Sequence, residues 1–314
     1  MQSSPTWDSD TSEPQIDSMT SEAPSSGCQQ APIYVCGPTA SGKSALAIEL
    51  AQTLGGEVVN ADAYQLYRGL ETLVASPSQE EISSAPHHLF SLLSLSEALD
   101  ANRYRKMALP VIADIQKRGL IPIIVGGSGL YLKFLTHGPS PLPSGDPELR
   151  KQLEQRSLED LLHELDELDP EEGATIDRHN RRYVSRSLEL CLLTGKAVSG
   201  LRRDWEQPPP VTPRGYLLNW PREELSDRIA QRTVEMLSNG AIPEVAALPG
   251  EASTAAKAIG VKEIQAHLSG ERNLAETTEL ITIATRQYAK RQRTWFKKET
   301  WLTLLGPGKP LPSL

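Results

Sequence analysis

Cysteine is scarce in this chain: Cys28, Cys36 and Cys191 stand far apart, in no C-x-x-C or Cys/His arrangement. That excludes a disulfide framework or a zinc site as an organising device and suits a reducing compartment. Long apolar runs are missing too. Stretches such as Leu120 to Val125 fall far short of the roughly 20 residues that cross a bilayer, so no membrane span is expected and the protein is read as cytoplasmic. Lys and Arg are absent from residues 1–30, which carry Asp8, Asp10, Glu13, Asp17 and Glu22 and only one aromatic, Trp7. So little apolar surface cannot offset ordering entropy, which predicts a disordered acidic tail. Without a basic or apolar region and without arginine, that tail reads as neither a secretory signal nor a transit peptide. It holds five of the eight excess negative charges. The remainder is only mildly acidic, and an RNA partner is not excluded.

What is present is a chain of 314 residues, 39% hydrophobic and 23% charged, with room for one large domain or two. Its centre is Pro32 to Leu50. A short apolar run meets Gly37-Pro38-Thr39-Ala40-Ser41-Gly42-Lys43-Ser44, and an amphipathic helix follows. These eight residues fit G-x-x-x-x-G-K-[ST], in which backbone N–H groups curl around a phosphate chain at a helix N-terminus. Lys43 supplies a point charge and Ser44 a ligand for Mg2+. The pattern specifies a polyphosphate without specifying ATP.

Glu57 to Ala61 reads as a strand ending at Asp62. In a parallel sheet that puts Asp62 beside the phosphate loop, though Asp in this position also serves as a helix N-cap. Ala101 to Arg118 reads as a helix and Ile121 to Val125 as a buried strand leading to Gly126-Gly127-Ser128-Gly129. No acidic residue follows this strand, and from local sequence Ser128 reads as a helix cap. The adjacent His87 and His88 are placed in a turn. Pro139 to Pro147 and Pro208 to Pro210 bracket a helical region containing the acidic run Leu158 to Leu168 and the basic cluster Arg178 to Arg186. The expected architecture is α/β: a P-loop NTPase-like core with a parallel sheet flanked by helices (residues 31–139 and 205–314), plus an all-α insertion (140–204).

Gly215 to Trp220 reads as a strand and Arg222 to Leu237 as a helix carrying Arg228 and Arg232 on one face. These two can hold surface carboxylates or form a lid over bound phosphates. A last helix, about Leu274 to Lys298, places Ile281, Ala284, Tyr288 and Trp295 on a buried stripe. Its other side carries Arg286, Lys290, Arg293 and Lys297, a solvated row or an RNA-backbone contact. Trp301 to Leu305 can add a strand.

Six segments in order, GPTASGKS (37–44), DAYQLYRG (62–69), PHHL (86–89), GGSGLYLK (126–133), SPLPSGDPELR (140–150) and ATRQYAKRQRTWFK (284–297), resemble the bacterial tRNA dimethylallyltransferases over about residues 31–305. The resemblance implies transfer of a dimethylallyl group from its diphosphate to the exocyclic amine of the adenine 3′ of the anticodon, in tRNAs reading U-initial codons. It implies Asp62 as proton acceptor, Ser128 near the bridging oxygen, Arg232 on the phosphates, and Thr39 to Ser44, Lys43 and Mg2+ on the leaving diphosphate. Asp62, Ala63, Tyr64 and Gln65, with Ser128 beside them, would meet the target base. Arg150, the segment Arg182, Tyr183, Val184, Ser185, Arg186, and Lys257 and Lys262 would meet the anticodon stem-loop, with Lys290 and Arg293 on the RNA backbone. A monomer is expected. The chain departs from the family pattern at Ala63, Tyr64, Ser76, Ser128, Lys257 and Lys262. A small-molecule or nucleotide kinase and a non-catalytic RNA-binding or nucleotide-switch protein are the alternatives weighed.

Overall fold

The structure, a computed structural model, describes residues 30–207, 209, 212–248 and 254–308. The tail expected to be disordered, with Cys28, therefore lies outside the described residues apart from Gln30, as do parts of the Pro208 to Pro210 mark. Among the described residues, six strands form one parallel sheet. They are β1 (Ile33–Cys36), β2 (Gly56–Asn60), β3 (His87–His88), β4 (Ile121–Gly126), β5 (Arg214–Leu218) and β6 (Thr303–Leu305), in spatial order β3-β2-β4-β1-β5-β6. β1 lies between β4 and β5, with Ile33 opposite Ile123 and Arg214. Buried on both faces, it reads as the unbroken apolar run IYVC.

Helices cover the sheet: α1 (Lys43–Leu54), the short α2 (Glu71–Val74) and α3 (Gln79–Ser84), α4 (Ala101–Lys117) and α5 (Gly129–Thr136). α4 keeps its helical course through Pro110 and starts at Asp100, whose carboxylate accepts from the Arg103 N–H. Five helices then leave the sheet: α6 (Pro147–Glu154), α7 (Leu158–Leu168), α8 (Pro170–Thr175), α9 (Arg181–Thr194) and α10 (Val198–Glu206). They bury their own core of Leu153, Leu161, Leu165, Val184 and Leu188. The chain returns through β5 to α11 (Arg222–Ser238), α12 (Ala241–Ala246), α13 (Val261–Leu268) and α14 (Leu274–Phe296). Among the described residues no helix is long and apolar enough to cross a membrane.

Two local expectations are corrected. His87 and His88 form a strand paired to β2, not a turn, and His88 Nε2 meets Glu57 Oε2 at 2.7 Å. The buried stripe of α14 runs through Ile281, Ala289, Gln292 and Phe296, while Trp295 is exposed. The stripe is set by where α11 and the two glycine-rich loops meet the helix, and an amide at the right register is buried in place of an indole.

Candidate active site

Every β-to-α connection in a parallel sheet emerges at one edge, which brings the loops after β1, β2, β4 and β5 together. The loop after β1 is the phosphate loop. Gly42 adopts φ 85°, a left-handed conformation that glycine tolerates, and turns the chain into α1. The first N–H groups of that helix have no carbonyl one turn behind them and so face the cleft as donors.

Three of the loop's carbonyl oxygens are engaged by side chains. Lys43 Nζ donates to the Pro38 carbonyl at 2.8 Å, Arg228 Nε to that of Ala40 at 2.8 Å, and Trp220 Nε1 to that of Ser41 at 2.8 Å. The Arg228 guanidinium also lies over the Trp220 ring, 4.4 Å from its centroid. Arg232 Nη1 donates to Thr39 Oγ1 at 3.1 Å. Of the two readings of Arg228 and Arg232, this favours the phosphate side: both reach the loop. One N–H of the loop is already spoken for, since Thr39 donates to Gln292 Oε1 at 2.8 Å. Thr39 thus contributes its N–H to a contact within the protein.

The loop after β2 delivers Asp62. Its N–H donates to the buried Asn60 Oδ1 at 2.7 Å and its Oδ1 accepts from Tyr64 N at 3.1 Å, so it closes a local turn and does not cap a helix. The loop after β4 delivers Ser128, which occupies the N-cap position of α5 without capping it. Its Oγ instead accepts from Ala63 N at 3.0 Å, tying the β2 and β4 loops together. Gly126 makes the approach possible: a Cβ there would lie 2.1 Å from the Ala61 carbonyl oxygen.

A cleft of about 570 Å³ runs between these loops, α11 and α14, and Asp62, Lys43, Arg232 and Tyr288 all line it. Leu73, Val74, Met236, Ile259 and Ile281 make an apolar part of the wall. Burial lowers the Lys43 ammonium to about 8, the Asp62 carboxylate partly opposing this and Arg232 reinforcing it. Burial likewise lowers Arg232, again against the pull of Asp62. The Tyr288 phenol is raised by burial and by the Asp62 and Tyr64 charges, and eased by the Ser128 hydroxyl. Lys43 and Arg232 thus share Asp62 as a neighbouring opposite charge in a cleft that Arg228, Glu81 and Glu235 also line.

Ser44 is exposed at the start of α1 and offers a single hard oxygen. Among the described residues no three His, Cys, Asp or Glu side chains gather as a metal cage. This donor set fits magnesium, which is commonly held by one or two protein oxygens while phosphate and water fill the rest. Ser41 Oγ is buried without a hydrogen-bond partner, as is Ser76 Oγ across the cleft, so polar capacity remains on both walls.

The residues expected to meet RNA are spread more widely. Gln65 is turned to the Val74 and Ala75 carbonyls, at 3.2 and 2.6 Å. Tyr64 Oη donates to the Lys257 carbonyl at 3.0 Å. Lys257, Lys262 and Lys290 are exposed and Arg293 half-buried. In the insertion, Arg182 and Tyr183 are exposed and Ser185 is partly so, whereas Val184 is fully buried in the helical core, where its side chain cannot meet RNA. Arg150 and Arg186 both bind the buried Glu189, at 2.9 and 2.5 Å. Sequence reasoning missed Gln292, Trp220, Tyr288 as a cleft residue and Glu189. Only the positions of Tyr288 and Gln292 inside ATRQYAKRQRTWFK hinted at any of them.

Fold and site together define a P-loop α/β protein with a carboxylate beside its glycine-containing loop. The profile of the IPP transferase family matches residues 65–299, and the chain belongs to that family; it is a transferase. A tRNA dimethylallyltransferase from Akkermansia muciniphila is 43% identical over 281 residues, covering 90% of this chain and 95% of the relative. One from Geobacter metallireducens is 41% identical over 291 residues, covering 88% and 93%. Among solved structures, the tRNA isopentenylpyrophosphate transferase of Bacillus halodurans superposes with a TM-score of 0.64 at 31% identity, covering 88% of this chain and 90% of that one. A eukaryotic dimethylallyltransferase acting on tRNA does so with 0.72 at 28% identity, covering 88% and 74%.

Proposed function

We propose that this protein transfers the dimethylallyl group of dimethylallyl diphosphate to the exocyclic amine of the adenine 3′ of the anticodon, in tRNAs reading U-initial codons. The observation that carries the reading is the shared cleft of Asp62, Lys43 and Arg232, within a chain whose relatives over nearly its whole length are tRNA dimethylallyltransferases. The adenine nitrogen forms a bond to the allylic carbon while that carbon's bond to oxygen breaks and the diphosphate leaves with the electron pair. Asp62 takes the proton the nitrogen sheds. Lys43, Arg232 and the N–H groups at the start of α1 receive the charge that develops on the leaving oxygens. Ser128, its hydroxyl tied to Ala63 N, serves the bridging oxygen of the diphosphate. Ser44 would hold the magnesium ion, which when bound neutralises diphosphate charge. The apolar wall gives the five-carbon chain a place away from water.

The target adenine leaves its stack to reach Asp62, with Ala63, Tyr64 and Gln65 around it. Lys290 and Arg293 on α14, Lys257 and Lys262, and Arg150, Arg182, Tyr183, Ser185 and Arg186 on the insertion (140–204) take the anticodon stem-loop. The protein acts in the cytoplasm as a monomer. Incubation with dimethylallyl diphosphate, magnesium and tRNA, followed by mass spectrometry of the nucleosides, tests this. Prenylated adenosine is expected. Its absence with a tRNA that a control enzyme modifies refutes the reading, and ATP-dependent phosphoryl transfer would replace it with a kinase.

A further inference from the structure

Gln292 joins two loops that the chemistry needs side by side. Its Oε1 accepts from the Thr39 N–H at 2.8 Å and its Nε2 donates to the Gly127 carbonyl at 3.0 Å. Thr39 lies in the phosphate loop, and Gly127 immediately precedes Ser128. The side chain is 4% exposed, and a Cβ on Gly127 would lie 2.1 Å from its Nε2 and 3.3 Å from the Gly37 carbonyl oxygen. The three segments thus meet without slack. The task needs one acceptor and one donor at the end of a two-carbon stem, which the glutamine amide supplies and neither methionine nor an ionised glutamate does. The amide stands on α14 between Lys290 and Arg293, so one rigid element carries it and two cations on the RNA side of the proposed site.

We infer that Gln292 is a positioning residue that holds the phosphate loop and the Gly127-Ser128 hinge at the separation prenyl transfer requires and ties both to α14. The inference rests on the proposed transfer reaction. It is tested in the full-length protein with Gln292→Glu and Gln292→Met, folding being checked by far-ultraviolet circular dichroism and thermal midpoint. At neutral pH both variants should lose turnover, about 10- to 100-fold in kcat, and bind inorganic diphosphate about 10-fold more weakly, with tRNA affinity unchanged. A protonated glutamic acid regains a donor for the Gly127 carbonyl. The activity of Gln292→Glu relative to wild type should therefore rise as the pH falls towards 6, while that of Gln292→Met stays flat. Wild-type kcat and diphosphate affinity in both variants overturn the inference. Identical pH profiles overturn it as well, and so does loss of fold in both, because the amide would then support the whole structure and not the step. Diphosphate binding is read without turnover, so an absence of prenylated product from wild type refutes the proposed reaction separately from the clamp.

Discussion

Lys43 ties ligand affinity to pH in a way that can be worked out in advance. In the free protein its ammonium is lowered from 10.5 to about 8, chiefly by burial. An anion bound against it restores the charged form, so that diphosphate binding takes up a proton wherever the free lysine has lost one. An alkyl diphosphate is already ionised above neutral pH and contributes little to the uptake. With the bound lysine back at its ordinary value, the dissociation constant should weaken roughly 30-fold between pH 7 and pH 9.5. Isothermal titration calorimetry in buffers of different ionisation enthalpy should register uptake of close to one proton at pH 9. The same shift acts on folding. A lysine lower in the folded than in the unfolded chain binds fewer protons in the native state between the two values, so its cost to the ligand-free fold is full below about pH 8 and relieved as the pH rises towards 10.5. That cost is roughly 3 kcal/mol, and Lys43→Met should raise the urea midpoint of the free protein at pH 7 while abolishing the pH dependence of diphosphate binding. A dissociation constant that stays flat from pH 7 to 9.5, with no proton uptake, would refute the reasoning.

Asp62→Asn keeps the size and the turn-closing oxygen but cannot take a proton; turnover should fall at least about 100-fold with tRNA affinity retained, as read by single-turnover kinetics and filter binding. Gly126→Ala drives a methyl group against the Ala61 carbonyl oxygen at 2.1 Å and should cost about 2 kcal/mol or more in urea unfolding, an effect that Gly200→Ala in α10 would not share because its Cβ meets nothing within 4 Å. Lys290→Glu combined with Arg293→Glu should weaken tRNA binding and reduce the slope of its logarithmic salt dependence by about 2; an unchanged slope returns that face of α14 to the solvent.

The phosphate loop was legible because its chemistry is local: glycines, lysine and serine at fixed spacing between an apolar run and an amphipathic helix. Asp62 was placed by topology, since strand ends in a parallel sheet share an edge. What the sequence could not disclose were partners far apart along the chain. Gln292 reaches Thr39 across 253 residues, and in sequence it sits among Lys290, Arg291 and Arg293, where an amide looks like one more solvated side chain. Ser128 resembles a helix cap because it occupies that position, but its hydroxyl accepts from Ala63, a partner supplied only once β2 and β4 pair. Val184 travels with a basic cluster in sequence and is buried by helical periodicity. The two-residue β3 is too short to show any period, and its edge is fixed by the contact of His88 with Glu57.

Carbonyls of the phosphate loop are bonded to Lys43, Arg228 and Trp220, while Arg232 and Gln292 hold Thr39. A glycine-containing loop would ordinarily surrender conformational entropy when an anion orders it. Here that loss falls on folding, spread over residues from β5's loop, α11 and α14. The ligand then meets a surface already in shape, so the free energy of its contacts with the loop is kept for affinity and for the step that breaks the bond.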